Sequence, residues 1–361
     1  MKLKFASVTA IGLAMFGVPA VAQEDVDFTG QTIQFIVPYG PGGGSSTHAF
    51  AIAPLLALEL PGNPTIIIEN VEGGGSVRGL NLFHQNAEPD GLTIAALGTG
   101  SYFSPLLGAA TVEYPLHEFR PILASPYGLV AYGRTDAGFT GDPEADVQLL
   151  RDNTFVHIGD GPASADMPVM YCYDLLDVRV NAVWGTSRGE SRQAFERGES
   201  QVNYDNLAGW NETLQPMMDA GVMVPIFSMG YQNAEGELLR DPTLPDTPHC
   251  MELYEMTHGS ELTGPRREVW DALFAIRMTT AKTIVLPAGT PDDVFGTYQR
   301  AMERVVARPE MDDPVLQLEL GGYPQAVGEA AVLGHRQASV MSDEARAELL
   351  TWLDEVWDVR F

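Results

Sequence analysis

Cysteine is nearly absent: Cys172 and Cys250 are the only two. That excludes a disulfide-dense scaffold and a Cys-rich zinc site. The pair could bridge in an oxidising compartment, but sequence does not place their Cα atoms, and two buried free thiols are the expectation. Positive charge is scarce too. Lysine and arginine number 21 against 48 aspartates and glutamates, for a formal net charge of −27. Such a surface repels nucleic acid and anionic lipid, so neither is expected as a partner. Most of the acidic excess reads as a solvated face. Catalytic signatures are also missing. There is no Gly-x-Ser-x-Gly elbow and no His-Glu-x-x-His. The one tight His/Cys cluster, His249, Cys250 and His258, matches no common zinc spacing. No enzyme, cofactor or metal site is therefore expected.

Long apolar runs are confined to the N-terminus. Lys2 and Lys4 precede an apolar stretch from Phe5 to Val18, and Ala20-Val21-Ala22 supplies the small-x-small step of a signal peptidase site. Residues 1–22 are read as a signal peptide cleaved after Ala22, which places the mature protein in the periplasm. The run is too short for a spanning helix of ~20 residues. About 340 residues remain, enough for two cores.

The rest alternates between strand and helix patterns. Ile33–Val37, Thr65–Glu69 and Leu92–Leu97 read as buried strands, with helices over Ser46–Leu60 and Ser76–Gln85. The middle repeats this grammar. Strands are expected over Phe155–Ile158, Val178–Val183 and Gln201–Tyr204, and helices over Ala165–Leu176, Glu190–Arg197 and Leu207–Ala220. Later come a strand at Thr283–Leu286, a helix with Pro291 as its first residue, and a final helix over Ser342–Trp357. Alternation implies an α/β fold with mainly parallel sheets flanked by helices. Extended segments near 121–132 and 222–228 read as hinge strands between two lobes. Lobe 1 is 23–124 plus 226–361, and lobe 2 is 125–225.

Glycine-rich turns carry the chemistry. Tyr39-Gly40-Pro41-Gly42-Gly43-Gly44-Ser45-Ser46 joins a strand to a helix. Helix N-terminal amides lack partners and carry the positive end of the dipole, and glycines let an anion approach them. A P-loop is excluded because no Lys follows, and a dinucleotide fingerprint because Ser45 replaces the third glycine. Gly98-Thr99-Gly100-Ser101 closes the third strand, and Gly159-Asp160-Gly161-Pro162-Ala163-Ser164 a strand of the middle block. Ligands of open α/β sheets sit beyond such strand ends, so the three turns are expected to meet at one cleft.

The chain resembles the substrate-binding proteins of tripartite tricarboxylate transporters, the Bug or TctC-like family. The resemblance rests on Phe35-Ile36-Val37-Pro38-Tyr39-Gly40-Pro41-Gly42-Gly43-Gly44, on Pro61–Ser76, on Pro89-Asp90-Gly91-Leu92-Thr93-Ile94, on Glu196-Arg197-Gly198-Glu199, on Tyr204-Asp205-Asn206, on Leu244–Pro248 and on Leu286–Pro291. It implies a two-lobed type II flytrap fold and a small organic acid as ligand. It also implies delivery to membrane permease subunits, with no need for self-association beyond a monomer. The ligand-binding residues it implies are Tyr39, Gly42, Gly43, Gly44, Ser45, Gly98, Thr99 and Ser101 in the first lobe. Ser164, Trp184 and Asp205 are the matching positions in the second. The sequence departs from the family pattern at Ser45-Ser46-Thr47-His48, at Asp160–Asp166 and at Trp184–Arg188, so the ligand does not transfer by analogy.

Single residues keep alternatives open. Arg188 is a candidate clamp for a second carboxylate, against a surface arginine facing Glu190 or Glu196, which the sequence favours. Trp184 stacks on a flat ligand or packs in the core. Asp205 accepts from a ligand or caps the next helix. His48 reads as structural. Two other function classes stay beside transport: a sensory receptor of the same fold signalling to a membrane kinase, and a hydrolase using Asp160 and Asp205.

Overall fold

A computed structural model describes residues 25–42, 44–207, 214–233 and 236–361, and of 318 and 319 the backbone alone. The signal segment 1–22, its cleavage step, Gly43 and residues 208–213 of the helix expected over Leu207–Ala220 lie outside the described residues. Within that range Gln215–Asp219 is a helix. No helix of the described residues is long and apolar enough to cross a membrane.

The first sheet is built from β1 (Thr32–Val37), β2 (Thr65–Asn70), β3 (Thr93–Gly98) and β4 (Arg120–Ser125). The second holds β5 (Leu129–Arg134), β6 (Phe155–Gly159), β7 (Val180–Trp184), β8 (Val202–Asn206) and β9 (Met223–Ser228). A small hairpin, β10 (Tyr231–Gln232) with β11 (Leu238–Leu239), follows. The chain then returns to the first sheet through β12 (Lys282–Leu286), giving the orders β2-β1-β3-β12-β4 and β7-β6-β8-β5-β9. In each sheet one strand opposes the other four: β12 is antiparallel to both its neighbours, and so is β5. The opposing strands are the ones that enter a sheet from the other half of the chain. Central β3 and β12 are buried almost throughout, whereas edge strands β2 and β7 alternate between half-buried and exposed, as one-sided burial requires.

Helices α1 (Gly44–Glu59), α2 (Val77–Asn86) and α3 (Thr99–Leu106) follow β1, β2 and β3. Gly98-Thr99-Gly100-Ser101, read as a turn, opens α3: Gly98 is its N-cap, and Ser101 Oγ accepts from Gly98 N at 3.1 Å. In the middle block, α4 (Pro143–Asp152) is a helix the sequence reading missed. It is started by Asp142, whose carboxylate accepts from Ala145 N at 2.9 Å. α5 (Met167–Leu175) and α6 (Arg188–Glu196) follow β6 and β7. Pro291 precedes the helix Asp292–Val306 as its extended N-cap instead of sitting within its first turn.

The return half serves both sheets. Helix Cys250–His258 packs against β9 and α4. Helix Pro265–Met278 touches α3 on one side and α5 on the other, bridging the two sheets. Helix Asp343–Trp357 lays Trp352 against Tyr171 of α5, ring centroids 5.1 Å apart.

The expectation of two free thiols is overturned: Cys172 of α5 and Cys250 form a disulfide, with Cα atoms 6.1 Å apart. Their 78-residue separation told nothing of this, because the contact depends on the return helix folding back onto α5. Arg266 fastens the same place, donating to Asp174 Oδ2 at 2.6 Å. A closed loop of that length should contribute about 4 kcal/mol through lost unfolded-state entropy. Replacing both cysteines with alanine should therefore lower the urea-unfolding free energy by about 2–5 kcal/mol, with the native circular dichroism spectrum kept. An unchanged midpoint would refute a stabilising role for the bridge.

Candidate functional site

The site begins where β1 and β3 end. Order reverses there, since β2 lies on one side of β1 and β3 on the other. Asn70, the last residue of β2, donates its Nδ2 to Tyr39 O at 2.8 Å and to Ser46 Oγ at 3.1 Å, pinning the first loop. The Tyr39 hydroxyl meets Ser101 Oγ at 2.8 Å. Gly98 has no room for a side chain, because a Cβ would stand 2.7 Å from the Tyr39 hydroxyl and 2.8 Å from Ser45 Oγ. The two loops therefore interlock through a glycine that must remain one.

Tyr39, Gly44, Ser45, Gly98, Thr99 and Gly100 line a near cavity of about 200 Å³. Tyr127, Asn206, Arg277, Ala281 and Lys282 close it from the other side. Of the residues expected here, Tyr39, Gly44, Ser45, Gly98 and Thr99 are brought together. Gly42 forms the left-handed turn behind them (φ 77°) and does not line the cavity, and Gly43 lies outside the described residues. Ser101 is fully buried beneath the loop, bonded to Tyr39 and Gly98. His48 is buried as well, its Nε2 2.8 Å from Ser125 Oγ.

The second-sheet turn is arranged differently. Its amides do not wait for a ligand. Asp166 Oδ2 accepts from Asp160 N at 3.0 Å, from Gly161 N at 3.4 Å and from Ser164 Oγ at 3.0 Å. Its Oδ1 accepts from His157 Nε2 at 3.1 Å. Burial pushes the Asp166 carboxyl up, but His157, Arg188 and Ser164 outweigh it and hold the group below its ordinary value. His157 is itself lowered, chiefly by burial, so a neutral imidazole donates to an ionised carboxylate. The chain fills this amide nest with its own anion.

Asp160, Ala165, Asp166, Ser187, Arg188 and Tyr204 line a far cavity of about 420 Å³, and Asn206 and Arg277 line both cavities. The two spaces thus adjoin at one seam between the sheets. Arg188 reaches it, but not as a surface arginine. Its guanidinium lies 3.9 Å from the centre of the Tyr204 ring, and Nη2 donates to Asn203 Oδ1 at 3.0 Å. Glu190 instead binds the Ser187 amide in a capping box. Ser164 sits under the turn, spent on Gly161 O and Asp166. Trp184 and Asp205 do not join the cavity lining. Trp184 packs 5.3 Å from Trp357. Asp205 is fully buried and accepts from Arg192 Nε at 2.7 Å. A third cavity, about 220 Å³, opens between Gln34, Glu69 and Leu82 at the outer edge of the first sheet, without a cation and away from the strand ends.

Arg277 is the residue the sequence reading missed. It ends the bridging helix and is only 7% exposed. Its Nε has no hydrogen-bond partner. Burial lowers its guanidinium from the ordinary value, which marks a cation short of compensation. Lys282, also 7% exposed, stands 4.2 Å over the Tyr127 ring beside it. The available signal was a basic residue inside an apolar run, Leu273-Phe274-Ala275-Ile276-Arg277-Met278, in a chain poor in basic residues. Among the described residues no group of three or more His, Cys, Asp or Glu could hold a metal.

No family model and no curated protein matches the sequence. Solved structures do. A TctC solute-binding protein from Polaromonas, solved without ligand, superposes with a TM-score of 0.64 at 19% identity, over 89% of this chain and 99% of its own. A Rhodopseudomonas palustris protein solved with adipate gives 0.61 at 17% identity, over 90% and 97%. The periplasmic binding protein BugD gives 0.59 at 18%, over 90% and 98%. The chain thus has the two-lobed fold of these proteins, of the TctC/Bug type.

Buried histidines set the pH dependence. Burial, then the Lys282 charge, lowers His48 to about 3, and burial lowers His335 to about 4. The unfolded chain protonates both below about 6.5 while the fold does not. Their contribution is thus full above that value and lost as pH falls towards the folded values. Between pH 7.5 and 5 each should cost about 2 kcal/mol of stability. Urea unfolding at the two pH values checks this, with His48→Gln expected to reduce the loss by about 2 kcal/mol. Equal stability at both would contradict the buried neutral state.

Proposed function

We propose that this protein is a periplasmic receptor that closes on a small organic acid in the seam between its sheets. One observation carries the reading. Arg277, a buried cation short of compensation, stands where the two cavities meet, in a chain whose net charge is −27. The global field opposes an anion, so a local positive site at the seam is accounted for if an anion enters it. The first amides of α1 and the Gly98–Gly100 loop supply further donors. The adipate carried by the R. palustris protein of similar fold supports an organic acid as the class.

In this reading the lobes are 23–124 with 226–361 and 125–225, and two return helices are fastened to the second lobe. The chain hinges near 121–132 and 222–228. The occupied form is handed, as a monomer, to membrane permease subunits. The ligand contacts are Tyr39, Gly44, Ser45, Gly98, Thr99, Lys282 and Arg277.

Arg277→Met separates function from folding. Removing an uncompensated buried charge should leave the ligand-free protein as stable as before or more so. Losing a charge-assisted, forked contact should weaken carboxylate binding about 100-fold. Calorimetric titration of both proteins with a dicarboxylate series reads the effect. Equal affinity in wild type and variant would sink the assignment of Arg277.

A further inference from the structure

Arg188 and Arg277 reach the far cavity from different elements, α6 and the bridging helix. Arg188 is partly committed. Its Nη2 donates to Asn203 Oδ1 at 3.0 Å and to Ile158 O at 3.3 Å, and its plane rests on Tyr204. The other two nitrogens, Nε and Nη1, are buried and have no hydrogen-bond partner. Asp166 forms an ion pair with Nη1 at 3.8 Å, too long for a hydrogen bond, and its oxygens already accept from His157, Ser164 and two amides. Asp160, the other carboxylate lining this cavity, is exposed to solvent. Two guanidiniums with unbonded nitrogens therefore share one cavity, and the charge of Arg188 disfavours that of Arg277. An acidic group between them relieves both the repulsion and the unmade hydrogen bonds.

The near cavity is a separate anion environment, with the α1 N-terminus and Lys282. The turn that could have provided a second amide nest is filled by Asp166. Recognition at the far end thus passes from backbone to a side chain. We propose that Arg188 is a specificity-determining residue. With Arg277 it holds a second acidic group, and the protein selects dicarboxylates over monocarboxylates of equal chain length. This rests on the organic-acid reading above.

The test titrates the mature chain with succinate, glutarate and adipate, each against the monocarboxylate of the same carbon count. Wild type should bind its best diacid about 30-fold tighter than the matched monoacid, the size of one charged hydrogen-bonded pair. Arg188→Gln should reduce that ratio to about threefold, with monoacid affinity changed by less than about threefold. Arg188→Lys keeps stem and charge but loses the planar fork. It should lower the ratio part of the way, and it serves as the readout if the glutamine variant does not fold. A wild-type ratio near one, or a ratio that survives both substitutions, overturns the assignment of Arg188 while leaving the acid receptor intact. If no acid of either series binds wild type, the receptor reading falls and this assignment with it.

Discussion

Arg277 is buried at the end of a helix that packs against α3 beside the first sheet and α5 beside the second, and the rest of the site is arranged around that fact. A buried charge without a partner costs several kcal/mol. The fold tolerates it because the bridging helix is held from both ends of the molecule. α3 packs on one side, and α5 packs on the other with the Arg266–Asp174 pair. Tyr127 N donates to the Arg277 carbonyl at 3.2 Å, which ties the helix end to the crossing between β4 and β5. An anion entering the seam thus acts on groups attached to both sheets at once. This is the differential interaction that the proposed closure needs.

The two sheets prepare that seam by different means. On the first, backbone does the work: α1 opens without an acidic residue in its first turn, and the glycine loops interlock through Gly98. On the second, Asp166 has consumed the amides, and the cavity is left to Arg188 stacked on Tyr204. Asp205, paired with Arg192, is a neighbouring anion matched before any ligand arrives. The excess of acid over base in this chain does not flood the cleft, because its buried carboxylates there are each bonded to chain donors.

Much of the architecture was legible from local pattern. Runs such as Phe35-Ile36-Val37 and Ile66-Ile67-Ile68, bounded by glycine and proline, placed the parallel strands within one or two residues. What failed was context. Gly98-Thr99-Gly100-Ser101 has turn composition, yet it opens α3 because Ser101 caps the Gly98 amide. α4 carried a sequence signal, Asp142 followed by Pro143, that the reading passed over. The disulfide and the Arg277 position depend on where the return half folds, which no local pattern contains. At the site, the first-sheet residues followed from the glycine turns. Trp184 and Asp205 were carried by resemblance alone, and the structure points one at Trp357 and the other at Arg192.

The measurement that bears most directly on the uncompensated cation compares a diacid with its own diamide. Thermal unfolding of the mature protein is followed with adipate and with adipamide, which match in length and differ in charge. The account predicts that adipate, or a shorter diacid in its place, adds about 2.7 kcal/mol of stability at 100 times its dissociation constant, and that the diamide adds nothing. Equal stabilisation by both, or stabilisation by the diamide alone, would contradict a site built around the charge of Arg277.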